Sequence, residues 1–245
     1  MRSLSRAPEE SVNHPRIALF AVATLAVLCA PPLLADAVRP DPGTHYLYLV
    51  RHGSYDPAPD AGDPAGNGLN ALGHEQAALV GARLAALPIR PAVLVSSPLR
   101  RARETAEDIG RALGMTPALD SLLRECTPTS DRADYMKNHS PGDVAACDSG
   151  LARAWARFAV PTPDGDRHDV LVCHANVIRW FVSRVVGGDP VHWSTMEIAN
   201  GSLTIVAVPA DGTARLVMFS DVGHLPLAKQ TWTGKGAGWG GASPR

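Results

Sequence analysis

The sequence predicts an α/β fold: a three-layer α/β/α sandwich around a mostly parallel sheet. Short apolar runs rich in branched and aromatic residues alternate with stretches whose apolar residues recur every three or four positions. The apolar runs lack the in-out alternation of a sheet with one wet face, so helices are expected over both faces. Three runs also end abruptly on polar residues: Arg51-His52-Gly53, Ser96-Ser97 and His174.

In chain order, Tyr46 to Val50 (YLYLV) reads as a buried strand. Asp56 to Gly68 is dense in Pro, Gly and Asp and reads as a loop. A helix follows, with Asn70 as its cap and Ala77, Val80, Leu84 and Leu87 as its apolar stripe. Ala92 to Ser97 (AVLVSS) is the next strand. Ser97-Pro98 is expected to open the following helix, serine at the cap and proline in the first turn, with Ala102, Ala106, Ile109 and Leu113 facing inward. Thr116 to Ala146 reads as irregular, and an alanine-rich helix is expected around Ser149 to Val160. Asp169 to Cys173 (DVLVC) is a third strand, followed by a helix through Val177, Ile178, Phe181 and Val185. SLTIVAV and ARLVMF flank Asp211-Gly212 and read as a hairpin.

The ends of the chain carry separate signals. Arg2, Arg6 and Arg16 precede an apolar run from Ile17 to Ala30 that stops at Pro31-Pro32. The run is short of the roughly 20 residues a membrane span needs, and Ala35-Asp36-Ala37 supplies a small-x-small cleavage site. Residues 1–37 therefore read as a signal peptide of an exported, periplasmic or secreted protein, with a membrane anchor through residues 17–34 as the alternative. Residues 38–44 form a linker, 45–228 one folded domain, and the Gly-rich stretch 229–245 a disordered tail. Of the four cysteines, Cys29 lies in the leader and Cys173 reads as a small buried hydrophobe. Cys126 and Cys147 flank a loop-rich segment; export permits a disulfide between them, the alternative being two free thiols.

A net charge of −1 offers no general surface for a polyanion, so nucleic acid is not an expected partner. Membrane contact is expected only if the leader is retained, and the sequence carries no signal for oligomeric state. In open α/β sheets ligands bind beyond the carboxyl ends of the strands. If the sheet is parallel, Arg51, His52, Arg101 and His174 meet there. Forked arginine donors and fresh helix N-termini suit a tetrahedral anion, and a neutral imidazole is a competent nucleophile near neutral pH. No closely spaced set of metal ligands is evident, so neither metal nor cofactor is expected.

At these residues the chain resembles the histidine phosphatase (phosphoglycerate mutase-like) superfamily. LVRHG is similar to its nucleophile motif, and LNALGHEQA to a helix start in which Asn70 replaces threonine. SSPLRRARETA is similar to the second-arginine motif, aligning Arg101 rather than Arg100 with the phosphate ligand. LLRE brings Glu125 to the general-acid position, and VCHANVIR is similar to the second-histidine motif. The resemblance implies a metal-independent phosphatase that hydrolyses phosphomonoesters through phosphohistidine. It implies His52 as nucleophile, Glu125 as general acid, and Arg51, Arg101 and His174 around the phosphoryl oxygens, with Ser54, Tyr55 and Asn176 at the rim. Tyr55, LLRE, HANVIRW and NGSLT most resemble the mitochondrial branch acting on protein Ser/Thr, so phosphoproteins are candidate substrates. The RHGxRxP form of the acid phosphatases and the RHGxTxxN form of the mutases are absent. Two alternatives remain at this point, a non-catalytic binder of phosphorylated ligands and a phosphomutase.

Overall fold

A computed structural model describes residues 42–56 and 65–232. The leader (1–37) and the tail beyond residue 232 lie outside the described residues. The first strand, β1 (His45–Arg51), leads to α1 (Ala71–Ala86), β2 (Val93–Ser96) and α2 (Arg100–Leu113). A short β3 (Ala118–Leu119), a 3-10 turn (Ser121–Leu123) and α3 (Ala133–Met136) precede α4 (Pro141–Phe158). Then come β4 (Arg167–Cys173), α5 (Ala175–Val185), a 3-10 helix (Pro190–Thr195), β5 (Leu203–Val208) and β6 (Arg215–Asp221).

The strands form one sheet in the order β3-β2-β4-β1-β5-β6. The pairs β3·β2, β2·β4 and β4·β1 are parallel; β5 and β6 add an antiparallel margin beside β1. Alternation along β1 and β4 divides the core between two faces. Leu47, Leu49, Leu171 and Cys173 pack with α4 and α5 residues such as Leu151, Phe158, Ile178 and Phe181. Tyr48, Val50, Val170 and Val172 pack on the other face with Val80 and Leu84 of α1 and Ala102, Ala106 and Ile109 of α2. Both faces are covered, which is why these strands read as unbroken apolar runs.

Asn70 caps α1 as expected, its side chain accepting from the Gly73 amide at 2.9 Å. Three readings need correction. Helix α2 begins at Arg100, not at Ser97: Leu99 holds the cap position in extended backbone, and the Ser97 hydroxyl accepts from the Leu99 amide at 3.3 Å and meets His174 at 2.8 Å. Helix α4 begins at Pro141, earlier than expected, because Ser140 accepts from the Asp143 amide and Pro141 occupies the first turn. Lys229 to Thr231 is docked rather than loose. Gln76 donates to the Lys229 carbonyl at 2.7 Å and to the Thr231 hydroxyl at 3.0 Å, and Lys229 pairs with Glu75 at 2.6 Å.

Candidate active site

The parallel register puts the ends of β1, β2 and β4 on one edge: Arg51 lies opposite Cys173, and Ser96 opposite Val172. His52, Ser97 and His174 are the next residue on each strand. The strand ends are stitched together, His52 N–H donating to the Cys173 carbonyl at 3.0 Å and Ser97 N–H to the Val172 carbonyl at 2.9 Å. The turn after His52 is close-packed. A Cβ on Gly53 would come within 2.4 Å of the Gly73 carbonyl oxygen, and one on Gly73 within 2.0 Å of the Ser54 carbonyl oxygen. Only glycine at both positions lets the start of α1 approach the turn this closely.

The two histidines converge, with ring centroids 5.1 Å apart, and both are buried. His52 Nδ1 lies 2.8 Å from the Gly53 carbonyl oxygen, which can only accept, so Nδ1 carries the proton. Its Nε2 receives the Nε–H of Arg101 at 3.1 Å and therefore presents a lone pair. Burial, reinforced by the charges of Arg51 and Arg101, holds the His52 imidazole neutral, its pKa well below the ordinary 6.5. His174 is held neutral in the same way, by burial first and then by His52, Arg101, Arg51 and Arg124. Its Nε2 is 2.8 Å from the Ser97 hydroxyl, and its Nδ1 is 3.7 Å from the Glu125 carboxylate.

Arg51 is 5 % exposed, and one Nη donates to the Ile198 carbonyl. Its Nε is buried without a hydrogen-bond partner, and burial lowers its pKa to about 10. Arg101 lies over the Tyr55 ring, 4.9 Å from its centroid, while the edge of Tyr55 meets His52 at 5.3 Å between centroids. Arg100 turns away to Glu104 at 2.8 Å, so of the two adjacent arginines it is Arg101 that joins the site.

Glu125 follows the 3-10 turn and faces His174 across the mouth. Burial pushes its carboxyl up to about 7, against the opposing pull of Arg101, Arg51, the Asn176 amide and Arg179. It is thus poised between acid and base near neutral pH. Asn176 does more than line a rim. Its backbone N–H donates to Glu125 Oε1 at 3.3 Å and its side-chain amide to the Cys126 carbonyl at 3.0 Å. Ser54 is half-buried, with its amide on Gln76 Oε1 at 2.7 Å and its hydroxyl accepting from Asn70 at 3.3 Å. Cys126 and Cys147 are joined with an S–S distance of 2.04 Å, tying the Glu125 segment to α4.

The sequence reading missed several members. Ser97, expected as a helix cap at the end of its strand, holds His174 Nε2 at 2.8 Å. Thr105 accepts from the Gly53 amide at 3.0 Å and donates to the Arg101 carbonyl at 2.7 Å, linking the turn after His52 to α2. Asn200 reaches the His52 and Gly53 carbonyls at 3.3 and 3.4 Å. Arg179, one helical turn past Asn176 within the quoted VCHANVIR, was open to detection from its i+3 spacing. Among the described residues no group of three or more His, Cys, Asp or Glu side chains is arranged to hold a metal ion. Arg51 and Arg101 beside two neutral imidazoles, with the Glu125 carboxyl pushed toward neutrality, make an arrangement that attracts an anion.

The profile of the histidine phosphatase superfamily (branch 1) matches residues 47–221. The chain belongs to that superfamily. Among its relatives is the mitochondrial serine/threonine-protein phosphatase PGAM5 of Xenopus laevis, 33 % identical over 192 residues that span 76 % of this chain and 68 % of the relative. The Homo sapiens PGAM5 is 34 % identical over 196 residues, 77 % of this chain and 66 % of the relative. The fold is shared with the phosphoglycerate mutase of Plasmodium falciparum, at TM-score 0.53 and 23 % identity, covering 75 % of this chain and 95 % of the other. The alpha-ribazole phosphatase of Shigella flexneri has TM-score 0.54 at 18 % identity, covering 72 % and 96 %. This histidine phosphatase is a phosphoric monoester hydrolase.

The expectation of export is corrected by these relatives, which are named as mitochondrial proteins. A basic N-terminus followed by an apolar run does not specify one membrane system, which is why the leader misled. The alternative of an anchor through residues 17–34 lies outside the described residues, among which no helix is long and apolar enough to cross a membrane.

Proposed function

We propose that this enzyme hydrolyses phosphomonoesters on phosphoproteins, by way of a phosphohistidine at His52 and without a metal ion. The carrying observation is the state of His52: its Nδ1 proton points at the Gly53 carbonyl, and its Nε2 lone pair points at Arg101. A buried neutral imidazole facing a guanidinium is a nucleophile beside an anion-binding group.

In the first half-reaction the Nε2 lone pair forms the N–P bond while the bond from phosphorus to the ester oxygen breaks. That oxygen leaves with the proton of Glu125. In the second, the oxygen of a water attacks phosphorus, its proton passes to the Glu125 carboxylate, and the N–P electron pair returns to Nε2 as inorganic phosphate departs. Arg51, Arg101 and His174 hold the phosphoryl oxygens and offset the charge that builds on them. Protein substrates are supported by the likeness to PGAM5, named as a serine/threonine-protein phosphatase.

The test is hydrolysis of p-nitrophenyl phosphate in excess chelator, with an alkaline denaturing quench and peptide mapping kept at high pH. Undiminished turnover and acid-labile, base-stable phosphate on His52 are expected. Turnover that needs an added divalent ion, or a phosphoenzyme that survives in His52→Ala, overturns the mechanism. A panel of phosphoserine and phosphothreonine peptides beside small phosphate esters tests the substrate. Labelled phosphate appearing in an isomeric product identifies a mutase instead, and a phosphorylated ligand bound without turnover identifies a non-catalytic binder.

A further inference from the structure

Arg179 enters no step above, yet it is a buried cation within the site. It lies on α5, 8 % exposed, with its guanidinium carbon 5.8 Å from the centroid of the Trp193 ring. Burying a guanidinium is costly unless hydrogen bonds and opposite charge offset it. Here one Nη donates to Asn176 Oδ1 at 3.1 Å and the other to Glu197 Oε2 at 3.3 Å, while Nε has no hydrogen-bond partner. The Glu197 side chain is about half exposed, so its charge is a weak counterweight for a buried cation.

What Arg179 does achieve is to orient an amide. A guanidinium has only donors, so the Asn176 oxygen must face it, and the Asn176 nitrogen must then face the Cys126 carbonyl. The amide is thus held at both ends, its oxygen by Arg179 and its nitrogen by the Cys126 carbonyl. The same residue's backbone N–H holds Glu125 Oε1. Glu197 and its neighbour are also linked to the site in two places, since Glu197 holds Arg179 and the Ile198 carbonyl receives Arg51.

We propose that Arg179 is the positioning residue of Glu125: its guanidinium locks the Asn176 amide, and Asn176 holds the 125–126 segment against His174. This rests on the proposed role of Glu125 as general acid. Arg179 also helps keep that carboxyl from rising further, as the last of four opposing influences.

The experiment compares kcat/KM, which reports phosphoenzyme formation, for p-nitrophenyl phosphate and phenyl phosphate. The first leaving group departs readily without a proton; the second needs one. In Arg179→Met the phenyl ester is expected to slow about tenfold, with the p-nitrophenyl ester changed less than about threefold. Loss of the nearby cation also moves the alkaline limb of the phenyl ester's pH profile upward. Arg179→Lys keeps the charge without the fork, so it restores the pH limb while the phenyl ester stays selectively slowed. Glu197→Gln, at an exposed position, shows a smaller loss in the same sense. If Arg179→Met fails to fold by circular dichroism, the lysine and Glu197 variants carry the test. If Glu125→Gln itself matches wild type on both esters, it is the general-acid reading that fails. If Glu125→Gln discriminates while the folded Arg179 variants and Glu197→Gln follow wild type, the assignment of Arg179 is overturned.

Discussion

The two edges of the sheet each bury histidine beside arginine, and they do opposite things with them. At the start of β1, His45 is 2 % exposed, with Nδ1 2.8 Å from the Val160 carbonyl and Nε2 3.0 Å from Asp169. Arg167 closes the group by pairing with Asp169 at 3.0 Å. Burial pushes the Asp169 carboxyl up, but the adjoining His45 and the paired Arg167 outweigh it and hold the carboxyl low. Each charge there has its opposite. At the other end of the same strands, His52 and His174 face Arg51 and Arg101, and the nearest carboxylate, Glu125, is pushed toward neutrality. That edge carries positive charge awaiting an anion. A buried histidine is structural or reactive according to whether its neighbours already balance it.

The sharpest way to break this comparison is to remove one histidine from each edge. His52→Ala is expected to reduce hydrolysis of p-nitrophenyl phosphate by about 10³-fold or more while unfolding remains cooperative. His45→Leu is expected to keep kcat near wild type and lower stability by about 1–3 kcal/mol in urea denaturation, because the Asp169 carboxylate and Val160 carbonyl lose a partner. Equal kinetic damage from both would erase the distinction.

Next in size is Glu125→Gln, expected to slow a phenyl ester about 10²-fold at pH 6. Glu125 titrates at about 7 and is protonated below that, so the wild-type advantage is fully present on the acid side. It fades as pH rises through that value. A constant ratio between the two enzymes from pH 5 to about 9 would remove the general acid from the mechanism.

The smallest effect is on stability. His52 and His174 titrate well below 6.5 in the fold, so the unfolded chain binds more protons once pH falls beneath the ordinary value. Stability therefore falls with falling pH over that range and is restored above it. The urea midpoint should drop from pH 7.5 to about 5.5, and the drop should flatten in a His52→Gln, His174→Gln double variant. An unchanged slope in that variant would place the acid sensitivity elsewhere.

Much of this was legible in the residues. Strands alternating with helices predicted the mostly parallel sheet, and runs ending on Arg51-His52, Ser97 and His174 then predicted the edge where chemistry gathers, because strand direction fixes which ends meet. The antiparallel β5 and β6 were readable as a hairpin from Asp211-Gly212, and Gly212 does adopt a positive φ of 75°. Ser97 misled, since a serine before proline looks like a cap until a histidine far along the chain competes for its hydroxyl. Residues 116–146 concealed the start of α4 and the 3-10 turn before Glu125, where caps and short turns outweigh periodicity.

By itself, the sequence determined the layers, the strand ends and the identity of the groups brought to them, since these follow from local pattern and chain direction. Only the tertiary structure decided how those groups are protonated and held. The lone pair on His52 Nε2, the raised carboxyl of Glu125 and the amide of Asn176 locked by Arg179 all depend on burial and on partners distant in sequence. Desolvation and Coulomb interactions act through space, and no local spacing encodes them.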